Sequence, residues 1–320
     1  MRNLRTLIQP YQPCPTAWRK PACRTKDEEM KICVIGTGRM GSALASVLLK
    51  QRHDVAVWNR TASRCLPLVQ QGAVALPSVA DTLATSDVVI VNVIDYRVSD
   101  ELLHAPEAAD ALAGKTVVQL TSGSPAQARE AHAWSAERGI GYLDGAIMST
   151  PNFIGTDAAS LLYSGPKSAF DAAHPAVIDF GIATHVGTDP GLACALDVAL
   201  LAQMWGKLFG TLQAIAVCGA EGVDLDTFSR HIPRFAPTVK GATDDLIARA
   251  RDDRLAGDEQ TLASIGAHHA AFHHLLEIVR EKRLDAGVAD AFDRLFRRAI
   301  DRGHLDDDFA ALVPLLARRA

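Results

Sequence analysis

Three glycines with the spacing GxGxxG stand between an apolar run and a helical pattern near the start of this chain. The apolar run is Ile32-Cys33-Val34-Ile35, the helical pattern covers residues 42–49, and the turn between them reads Gly36-Thr37-Gly38-Arg39-Met40-Gly41. The first glycine permits a tight turn, the second lets a pyrophosphate approach the backbone, and the third lets the helix pack on the strand. Because free N–H groups and the positive end of the helix face the same side, the turn predicts a dinucleotide site.

The second apolar run, Asp54–Trp58, ends without a carboxylate. About 20 residues after such a glycine turn, an Asp or Glu usually accepts hydrogen bonds from the ribose of NAD. Four other residues occupy this region: Asn59, Arg60, Thr61 and Arg64. Positive charges suit the 2′-phosphate of NADP, and arginines that open a helix oppose its dipole unless an anion lies near. The segment therefore favours NADPH/NADP+ as the cofactor, and ordinary surface arginines are the alternative.

Short apolar runs alternate with helical patterns as far as residue 188. We predict strands over residues 31–35, 54–58, 87–93, 116–120, 141–144, 159–164 and 182–186. Helices are predicted over residues 62–71, 78–84 and 125–138, with another between the last two strands. Continuous runs such as Val88-Val89-Ile90-Val91 are typical of strands covered on both faces. Residues 30–188 are therefore predicted to form an α/β Rossmann-type cofactor domain with a doubly wound parallel sheet.

The first 29 residues differ in composition from the rest, being rich in proline, first basic and then acidic. They contain no apolar stretch of signal-peptide length, so residues 1–29 are predicted to be a disordered N-terminal extension, with Met30 an alternative start of translation. A transit peptide is a weaker alternative, because an acidic cluster closes the segment and serine is scarce. The six cysteines form no CxxC pair, which is typical of reduced thiols in a cytoplasmic protein.

Charge and histidine spacing limit the other partners. A net charge of −4 gives no reason to expect nucleic acid as a partner. Four histidines stand close together in the C-terminal half: His268, His269, His273 and His274. No HExxH motif or cysteine pattern accompanies them, so we predict a partly exposed helical face and no metal site.

A long apolar stretch over residues 191–219 is sufficient to span a bilayer. Four polar residues interrupt it at intervals: Asp197, Gln203, Lys207 and Gln213. These interruptions favour a buried helix and no membrane span. Helical patterns continue over residues 226–320, so we predict a long interdomain helix and an all-α C-terminal dimerisation domain over residues 189–320. Because a helix that is apolar all round needs neighbours on several sides, we expect a homodimer.

Asp197 is a candidate acid, since no basic residue of the apolar stretch stands near it. Burial disfavours a carboxylate and can raise its pKa by about 3–5 units, so that the group keeps its proton near neutrality and can donate it. The same helical face carries four apolar residues: Leu200, Leu201, Met204 and Leu208. The alternative is that Asp197 only bonds a neighbouring backbone group. Asp189 is predicted to cap this helix, with Pro190 at its first position.

Residues that follow strands are expected to gather at one edge of the sheet. Thr121 and Ser122 are predicted to lie near the nicotinamide end of the cofactor, with Val93 on the neighbouring strand. A substrate pocket is predicted from several segments: Asp95, Tyr96, Met148, Leu201, Met204 and Trp205. A simple polar loop and ordinary packing residues are the alternatives.

From Met30 onward the chain resembles the imine reductases. The motifs that carry this resemblance are GTGRMG (36–41), WNRT (58–61), DY (95–96), LTSGSP (120–125), YLDGAIM (142–148), LYSG (162–165), DPGLA (189–193), MWG (204–206), EGV (221–223) and DDFAAL (307–312). The resemblance implies NADPH-dependent reduction of C=N bonds in cyclic imines, and reductive amination of ketones with amines. It also implies a homodimer with exchanged helices.

The resemblance places the family's proton-donor position on Asp197, and members with Asp there tend to give R-configured amines. Many members carry Tyr before this Asp where the chain has Leu196, and Leu in the glycine turn where it has Thr37. The nearest alternative, a β-hydroxyacid dehydrogenase, uses a lysine on the long helix, and none occurs between Lys167 and Lys207. An NADPH-binding sensor without catalysis is the other alternative.

Overall fold

The computed structural model describes residues 30–317, so the predictions for residues 1–29 lie outside the described part of the chain. One sheet of eight strands dominates the first half of these residues. The strands are β1 (Lys31–Ile35), β2 (Asp54–Trp58), β3 (Val74–Ala75), β4 (Val88–Val91), β5 (Thr116–Gln119), β6 (Gly141–Ile147), β7 (Ser160–Ser164) and β8 (Ile182–Gly187).

The strands follow the spatial order β3-β2-β1-β4-β5-β6-β7-β8. Neighbours pair in parallel except β6 and β7, so that β7 and β8 run opposite to the other strands. Ile35 at the end of β1 lies between Trp58 of β2 and Val91 of β4. The strand order reverses at β1, and a doubly wound sheet binds its ligands at the carboxyl ends of strands beside such a reversal. The predicted Rossmann-type fold is confirmed, but the sheet is mixed where a parallel sheet was predicted, because β6 and β7 pair antiparallel.

Helices cover both faces of the sheet in the first of two compact units, which ends at Ala202. They are α1 (Arg39–Lys50), α2 (Leu66–Val69), α3 (Val79–Ala84), α4 (Tyr96–Leu103), α5 (Pro106–Ala111), α6 (Pro125–Ala136) and α7 (Lys167–Val177). Successive residues of β1 enter different cores: Val34 packs with Leu44 and Ile90, whereas Ile35 packs with Val89 on the other face. The sheet is therefore buried on both sides, as its continuous apolar runs predict.

Between the strands the structure departs from the prediction at several places. The predicted helix 62–71 is a 3-10 turn, Ala62–Cys65, followed by the short α2. Pro67 stands in the first turn of α2, and Gly72, at a φ of 107°, ends the segment. Helices α4 and α5 and the short β3 are absent from the prediction, because each is only two to eight residues long and so gives a short periodic signal.

The second compact unit begins at Gln203, inside a helix that starts in the first unit. Its helices are α8 (Leu192–Glu221), α9 (Leu225–Arg251), α10 (Ile265–Glu281), α11 (Gly287–Ile300) and α12 (Val313–Leu316). No strand occurs among its described residues, in agreement with the predicted all-α domain. The division between the compact units falls after Ala202, whereas the predicted domain boundary stands at residue 188.

The core of the second unit is built on Ile265 and Phe296, with an ion cluster beside it. The buried guanidinium of Arg249 on α9 forms two hydrogen bonds with Asp258, at 2.9 and 3.2 Å. It also contacts Asp245 at 3.0 Å and Asp308 at 3.2 Å. One buried side chain thus joins α9 to the segment that leads into α10 and to the C-terminal segment.

Helix α8 is long and apolar enough to cross a membrane by length and composition. The prediction that it is buried is not met within this single chain. Large side chains along it are exposed, including Leu208, Phe209 and Leu212, of which 53%, 55% and 61% is accessible. Within one chain, the apolar circumference of α8 therefore lacks the neighbours that its sequence requires.

Candidate active site

A cleft of about 530 Å³ lies at the carboxyl ends of β1, β2 and β4, and we call it the β1–β4 cleft. Its lining comes from the glycine turn and from the segments after β2 and β4: Gly36, Gly38, Arg39, Met40, Trp58, Asn59, Arg60, Thr61, Arg64, Asn92, Val93, Ile94, Val98, Glu101 and Leu102. The fold thus brings together nine of the residues predicted to bind the cofactor.

The glycine turn has the close backbone contacts that its spacing predicts. Gly36 has a φ of 97°, and a Cβ there would lie 2.3 Å from the carbonyl oxygen of Asn92. A Cβ on Gly41 would lie 1.9 Å from the carbonyl oxygen of Gly36. Gly38 is the N-cap of α1, and no side chain of the described residues caps this helix. The N-terminus of α1 is therefore available to a phosphate.

The segment after β2 brings positive charge to the β1–β4 cleft. Arg60 and Arg64 are exposed, and with Arg39 they place three guanidinium groups along its wall. Glu101 is the only carboxylate among the described lining residues. An excess of guanidinium groups fits a phosphate ester, since each can donate paired hydrogen bonds to its oxygens.

A second space of about 340 Å³, which we call the α8 cavity, adjoins the first. It is lined by Met40, Asn92, Leu120, Thr121, Ser122, Gly123, Gly145, Ala146, Ile147, Cys194, Asp197 and Leu201. Met40 and Asn92 line both spaces, which therefore lie side by side. The buried Thr121 accepts a hydrogen bond of 3.1 Å from the Val93 N–H, which fixes the segments after β4 and β5 to each other.

Asp197 reaches the α8 cavity because β7 runs opposite to β6. Helix α8 starts beside the end of β7, where the Ser164 hydroxyl accepts from the Ala193 N–H at 2.9 Å and donates to the Pro190 carbonyl at 2.8 Å. About one helical turn after Ala193, Asp197 lies with Ile147 in the wall of the cavity. Asp197 is half-buried, and burial raises its pKa above the ordinary value.

The start of α8 differs slightly from the prediction. The helix begins at Leu192 and not at Pro190. Asp189 still bonds the backbone, because its carboxylate accepts from the Gly191 N–H at 2.9 Å. It also accepts paired hydrogen bonds from Arg129 of α6, both at 2.9 Å. Asp189 therefore fixes the turn before the helix and is not the N-cap.

Asp144 of β6 is fully buried next to the residues that line the α8 cavity. The Cys194 thiol donates to one carboxylate oxygen at 3.1 Å, and the Tyr96 hydroxyl donates to the other. Tyr142 donates to that second oxygen at 3.4 Å. Burial raises the pKa of Asp144 to about 6, although the three donors act in the opposite direction.

Both parts of the chain match known families. Residues 31–187 match the NAD binding domain of 6-phosphogluconate dehydrogenase. Residues 189–318 match the family described as NADPH-dependent reductive aminase-like, C-terminal domain. An NADPH-dependent reductive aminase of Aspergillus oryzae is 32% identical over 88% of this chain and 95% of its own length. The chain belongs to the imine reductase and reductive aminase family.

Two solved members of the family share the fold. The imine reductase of Myxococcus stipitatus in complex with NADP+ is 47% identical, with a TM-score of 0.85 over 90% of this chain and 100% of that one. The reductive aminase of Aspergillus terreus in complex with NADPH4, cyclohexanone and allyl amine is 30% identical, with a TM-score of 0.79 over 90% and 100%. The predicted family is thereby confirmed, and with it the enzyme class, an NADPH-dependent oxidoreductase that acts on C=N bonds.

The residues that the sequence assigns to the family's substrate pocket lie in different settings. Leu201 lines the α8 cavity, whereas Met148 packs on Ala146 and Ala193. Asp95 is the N-cap of α4, and Tyr96 is buried with its hydroxyl on Asp144. Met204 and Trp205 are exposed on α8, beyond the end of the first unit. Substrate contact by these six residues stays a prediction.

Several residues of the site were not predicted from the sequence. Asn92 lines both spaces and donates from its side chain to the Leu120 carbonyl at 2.7 Å. Ile94, 82% exposed, lies at the β1–β4 cleft, and Cys194 lines the α8 cavity. Asn92 could have been found, because it is the first polar residue after a buried run and so stands at the carboxyl end of a strand. Cys194 gave no such signal.

The residues present fit the cofactor of the family. The α1 N-terminus and the open space at Gly38 would hold the pyrophosphate. Arg60 and Arg64 would hold the 2′-phosphate, and the adjoining α8 cavity, with Thr121 and Ser122 in its wall, would hold the nicotinamide end. Among residues 30–317 no group of three or more His, Cys, Asp or Glu is arranged to hold a metal ion.

Proposed function

We propose that this chain reduces cyclic imines and iminium ions, with Asp197 as the proton donor. The observation that carries the proposal is the position of Asp197: it is the one carboxylate among the described residues lining the α8 cavity. The apolar side chains of Leu120, Ile147 and Leu201 lie in the same wall. The pocket therefore offers a substrate one acidic group in apolar surroundings.

The chemistry follows from the state of that acid. When bound, NADPH supplies a hydride to the C=N carbon. Because burial raises the pKa of Asp197, the carboxyl group keeps its proton closer to neutrality than an exposed Asp would. The protonated group can donate to the substrate nitrogen, and the ionised group can stabilise an iminium cation. Either role favours the protonated substrate, whose C=N carbon is a better hydride acceptor than that of the neutral imine.

The test compares Asp197→Asn with wild type in NADPH consumption on a small cyclic imine. We expect kcat to fall about 100-fold, since a positioned general acid contributes about 10²–10⁴-fold, while the Kd for NADPH stays unchanged. Asp87→Asn is the matched control, because Asp87 is exposed before β4, at the opposite edge of the sheet. Full turnover by Asp197→Asn would remove Asp197 from the mechanism.

The same assay separates the reaction classes. Wild-type enzyme is offered a pyrroline with NADPH, a ketone with an amine and NADPH, or a β-hydroxyacid with NADP+. We expect turnover of the imine and slower turnover of the ketone and amine pair. Turnover of the hydroxyacid alone would contradict the proposed reaction, and NADPH binding without any turnover would support a sensor.

We propose further that the chain acts as a homodimer in which helices are exchanged. The support is the exposed apolar surface of α8 and α9, where Leu212, Phe235 and Ile247 are 61%, 63% and 60% accessible. Burying such side chains contributes about 1.5–3 kcal/mol each. The resemblance to the family implies the same arrangement.

Light scattering measures the assembly directly. We expect twice the chain mass for wild type, and a shift toward the chain mass for Leu212→Glu, which places a charge in the apolar surface. Glu107→Lys on the exposed side of α5 serves as the control and keeps the dimer mass. A wild-type mass equal to one chain would contradict the proposal.

A cytoplasmic location is also proposed. Its support is that Cys33, Cys65, Cys194 and Cys218, the cysteines within the described residues, are all free and buried. Free thiols are typical of reducing compartments. Cell fractionation followed by detection of the intact chain would test this, and recovery in the membrane or exported fraction would contradict it.

A further inference from the structure

Asp144 lies next to residues that line the α8 cavity, where three elements of the chain meet. It belongs to β6, and the next three residues of that strand, Gly145, Ala146 and Ile147, line the cavity. Its carboxylate accepts a hydrogen bond from Cys194 of α8 at 3.1 Å. The same carboxylate accepts from the Tyr96 hydroxyl of α4. One buried side chain of β6 is therefore bonded to two other elements, α4 and α8.

On the helix side, the bond from Asp144 reaches the residue that precedes Asp197 by one turn. Cys194 and Asp197 are three residues apart on α8, so their side chains lie on one face. Both line the α8 cavity. A bond that holds Cys194 against β6 therefore fixes the position of Asp197 relative to the β6 residues that line the cavity.

On the other side, the bond reaches the loop at the nicotinamide end. The Tyr96 ring packs against Gly123, where an added Cβ would lie 2.3 Å from the ring carbons. Gly123 follows Thr121 and Ser122, which line the cavity. Removing the Tyr96 hydroxyl would leave the ring against Gly123 but free it from Asp144.

The three donors at Asp144 favour its ionised form and so act against the effect of burial. Tyr96, Tyr142 and Cys194 all offer a proton to it, and no basic side chain of the described residues hydrogen-bonds it. A buried carboxylate costs free energy unless its oxygens are hydrogen-bonded, so the loss of one donor weakens the whole cluster. Such a buried network rigidifies the elements that it joins.

We propose that Asp144 is a positioning residue, which holds the helix carrying Asp197 and the loop carrying Ser122 in fixed relation across the cavity. The inference deepens the proposed function and rests on the role of Asp197 there. Asp144 does not itself line the cavity and acts through Cys194 and Tyr96. Small errors in the placement of a reacting group are expensive, since about 1 Å can reduce the rate about 100-fold.

The test uses Cys194→Ala, which removes the donor, and Cys194→Ser, which keeps a donor of similar size. We expect kcat on a cyclic imine to fall about tenfold in Cys194→Ala and to return to within about twofold of wild type in Cys194→Ser. The KM for NADPH should stay within about twofold, because the β1–β4 cleft is unchanged. A purely structural role would affect KM and melting temperature together with kcat.

Tyr163→Phe is the matched control for Tyr96→Phe. The Tyr163 hydroxyl is buried in the core and has no hydrogen-bond partner among the described residues. We expect Tyr96→Phe to lower kcat about as much as Cys194→Ala, and Tyr163→Phe to retain wild-type kcat. Equal losses in the two phenylalanine variants would overturn the proposal.

A double-mutant cycle with Asp197 links the two positions. If Cys194 acts through Asp197, Cys194→Ala should cause no further loss in the Asp197→Asn background, so the effects are not additive. Independent, multiplying losses would overturn the positioning role. If Asp197→Asn alone keeps full turnover, the role of Asp197 fails and the positioning role with it. If Asp197→Asn is impaired but Cys194→Ala is not, only the positioning role fails.

Discussion

The backbone N–H of Thr37 donates a hydrogen bond of 3.1 Å to the side-chain oxygen of Asn59. The amide nitrogen of the same side chain donates to the Thr61 carbonyl, also at 3.1 Å. Asn59 therefore joins the glycine turn to the segment that carries Arg60. One amide therefore holds together the two segments that we propose to bind the pyrophosphate and the 2′-phosphate.

Loss of the two arginines should change the choice of cofactor. We expect the double variant Arg60→Ala/Arg64→Ala to raise the KM for NADPH about 10- to 100-fold, since a hydrogen bond to a charged group is worth about 1.5–3 kcal/mol. The KM for NADH, which lacks the 2′-phosphate, should change less than about threefold. Steady-state kinetics with both cofactors gives the two values. Arg138→Ala, an exposed arginine on Trp134, is the control. Parallel losses for both cofactors would contradict the assignment.

The glycines of the turn should respond differently to an added methyl group. Gly41→Ala should lower the melting temperature by about 5 °C or more, because the new Cβ would lie 1.9 Å from a backbone oxygen. Gly38→Ala should leave the melting temperature within about 1 °C, because its Cβ meets no protein atom within 4 Å. It should nevertheless raise the Kd for NADPH at least about tenfold, since a pyrophosphate must approach this backbone. Calorimetry and cofactor titration separate the two effects; tight NADPH binding by Gly38→Ala would contradict the prediction.

Asp144 should affect stability in a pH-dependent manner. Burial raises its folded-state pKa to about 6, above the ordinary value of 3.8. The folded protein therefore binds more protons between these values, and this residue lowers the free energy of unfolding as pH rises from 4 to 6. Two pKa units correspond to about 3 kcal/mol. In Asp144→Asn this contribution is absent. The free energy of unfolding of the variant minus that of wild type should thus increase over this range and stay level above it, as urea titrations would measure. A constant difference would contradict the raised pKa.

Arg249 should matter to the second unit more than an exposed arginine does. Its buried guanidinium contacts three carboxylates, so Arg249→Ala removes the counter-charge that they share and should lower the melting temperature by at least about 5 °C. Arg249→Lys should recover only part of the lost melting temperature, because lysine cannot form paired hydrogen bonds with Asp258. Differential scanning calorimetry of both variants measures this.

The ion pair of Arg249 and Asp258 can be tested at low pH. Arg249 lowers the pKa of Asp258 to about 2. The stability that the pair contributes is fully present above the ordinary pKa of 3.8 and is lost as pH falls toward 2. The difference in the free energy of unfolding between wild type and Arg249→Ala should therefore become smaller below pH 4. A difference that widens in acid would contradict the assignment.

The sequence predicted best the features that follow from a known local backbone geometry. The glycine spacing predicted the close approach of Gly41 to Gly36, and the run Val88-Val89-Ile90-Val91 predicted a strand covered on both faces. Arg60 and Arg64 stand at the cleft because the end of β2 is fixed by its pairing with β1. Each of these features depends on neighbours within a few residues or on a regular strand.

Features that depend on distant segments were not predictable. Asp144 of β6 contacts Tyr96, which lies 48 residues before it, and Cys194, which lies 50 residues after it. No spacing in the sequence indicates that these three residues meet. The exposure of α8 was missed for a related reason. An apolar helix indicates that something must cover it, but the pattern does not say whether the cover comes from the same chain.

The reversed direction of β7 has a consequence for how the chain tolerates change. The start of α8 is fixed beside Ser164, and Asp197 follows on the same helix. The number of residues between the two points therefore sets the direction of the Asp197 carboxylate. Removing a single residue between Ala193 and Asp197 would rotate the carboxylate by about 100° and withdraw it by about 1.5 Å. The number of residues in the first turn of α8 should therefore be preserved, even where its side chains are exchanged.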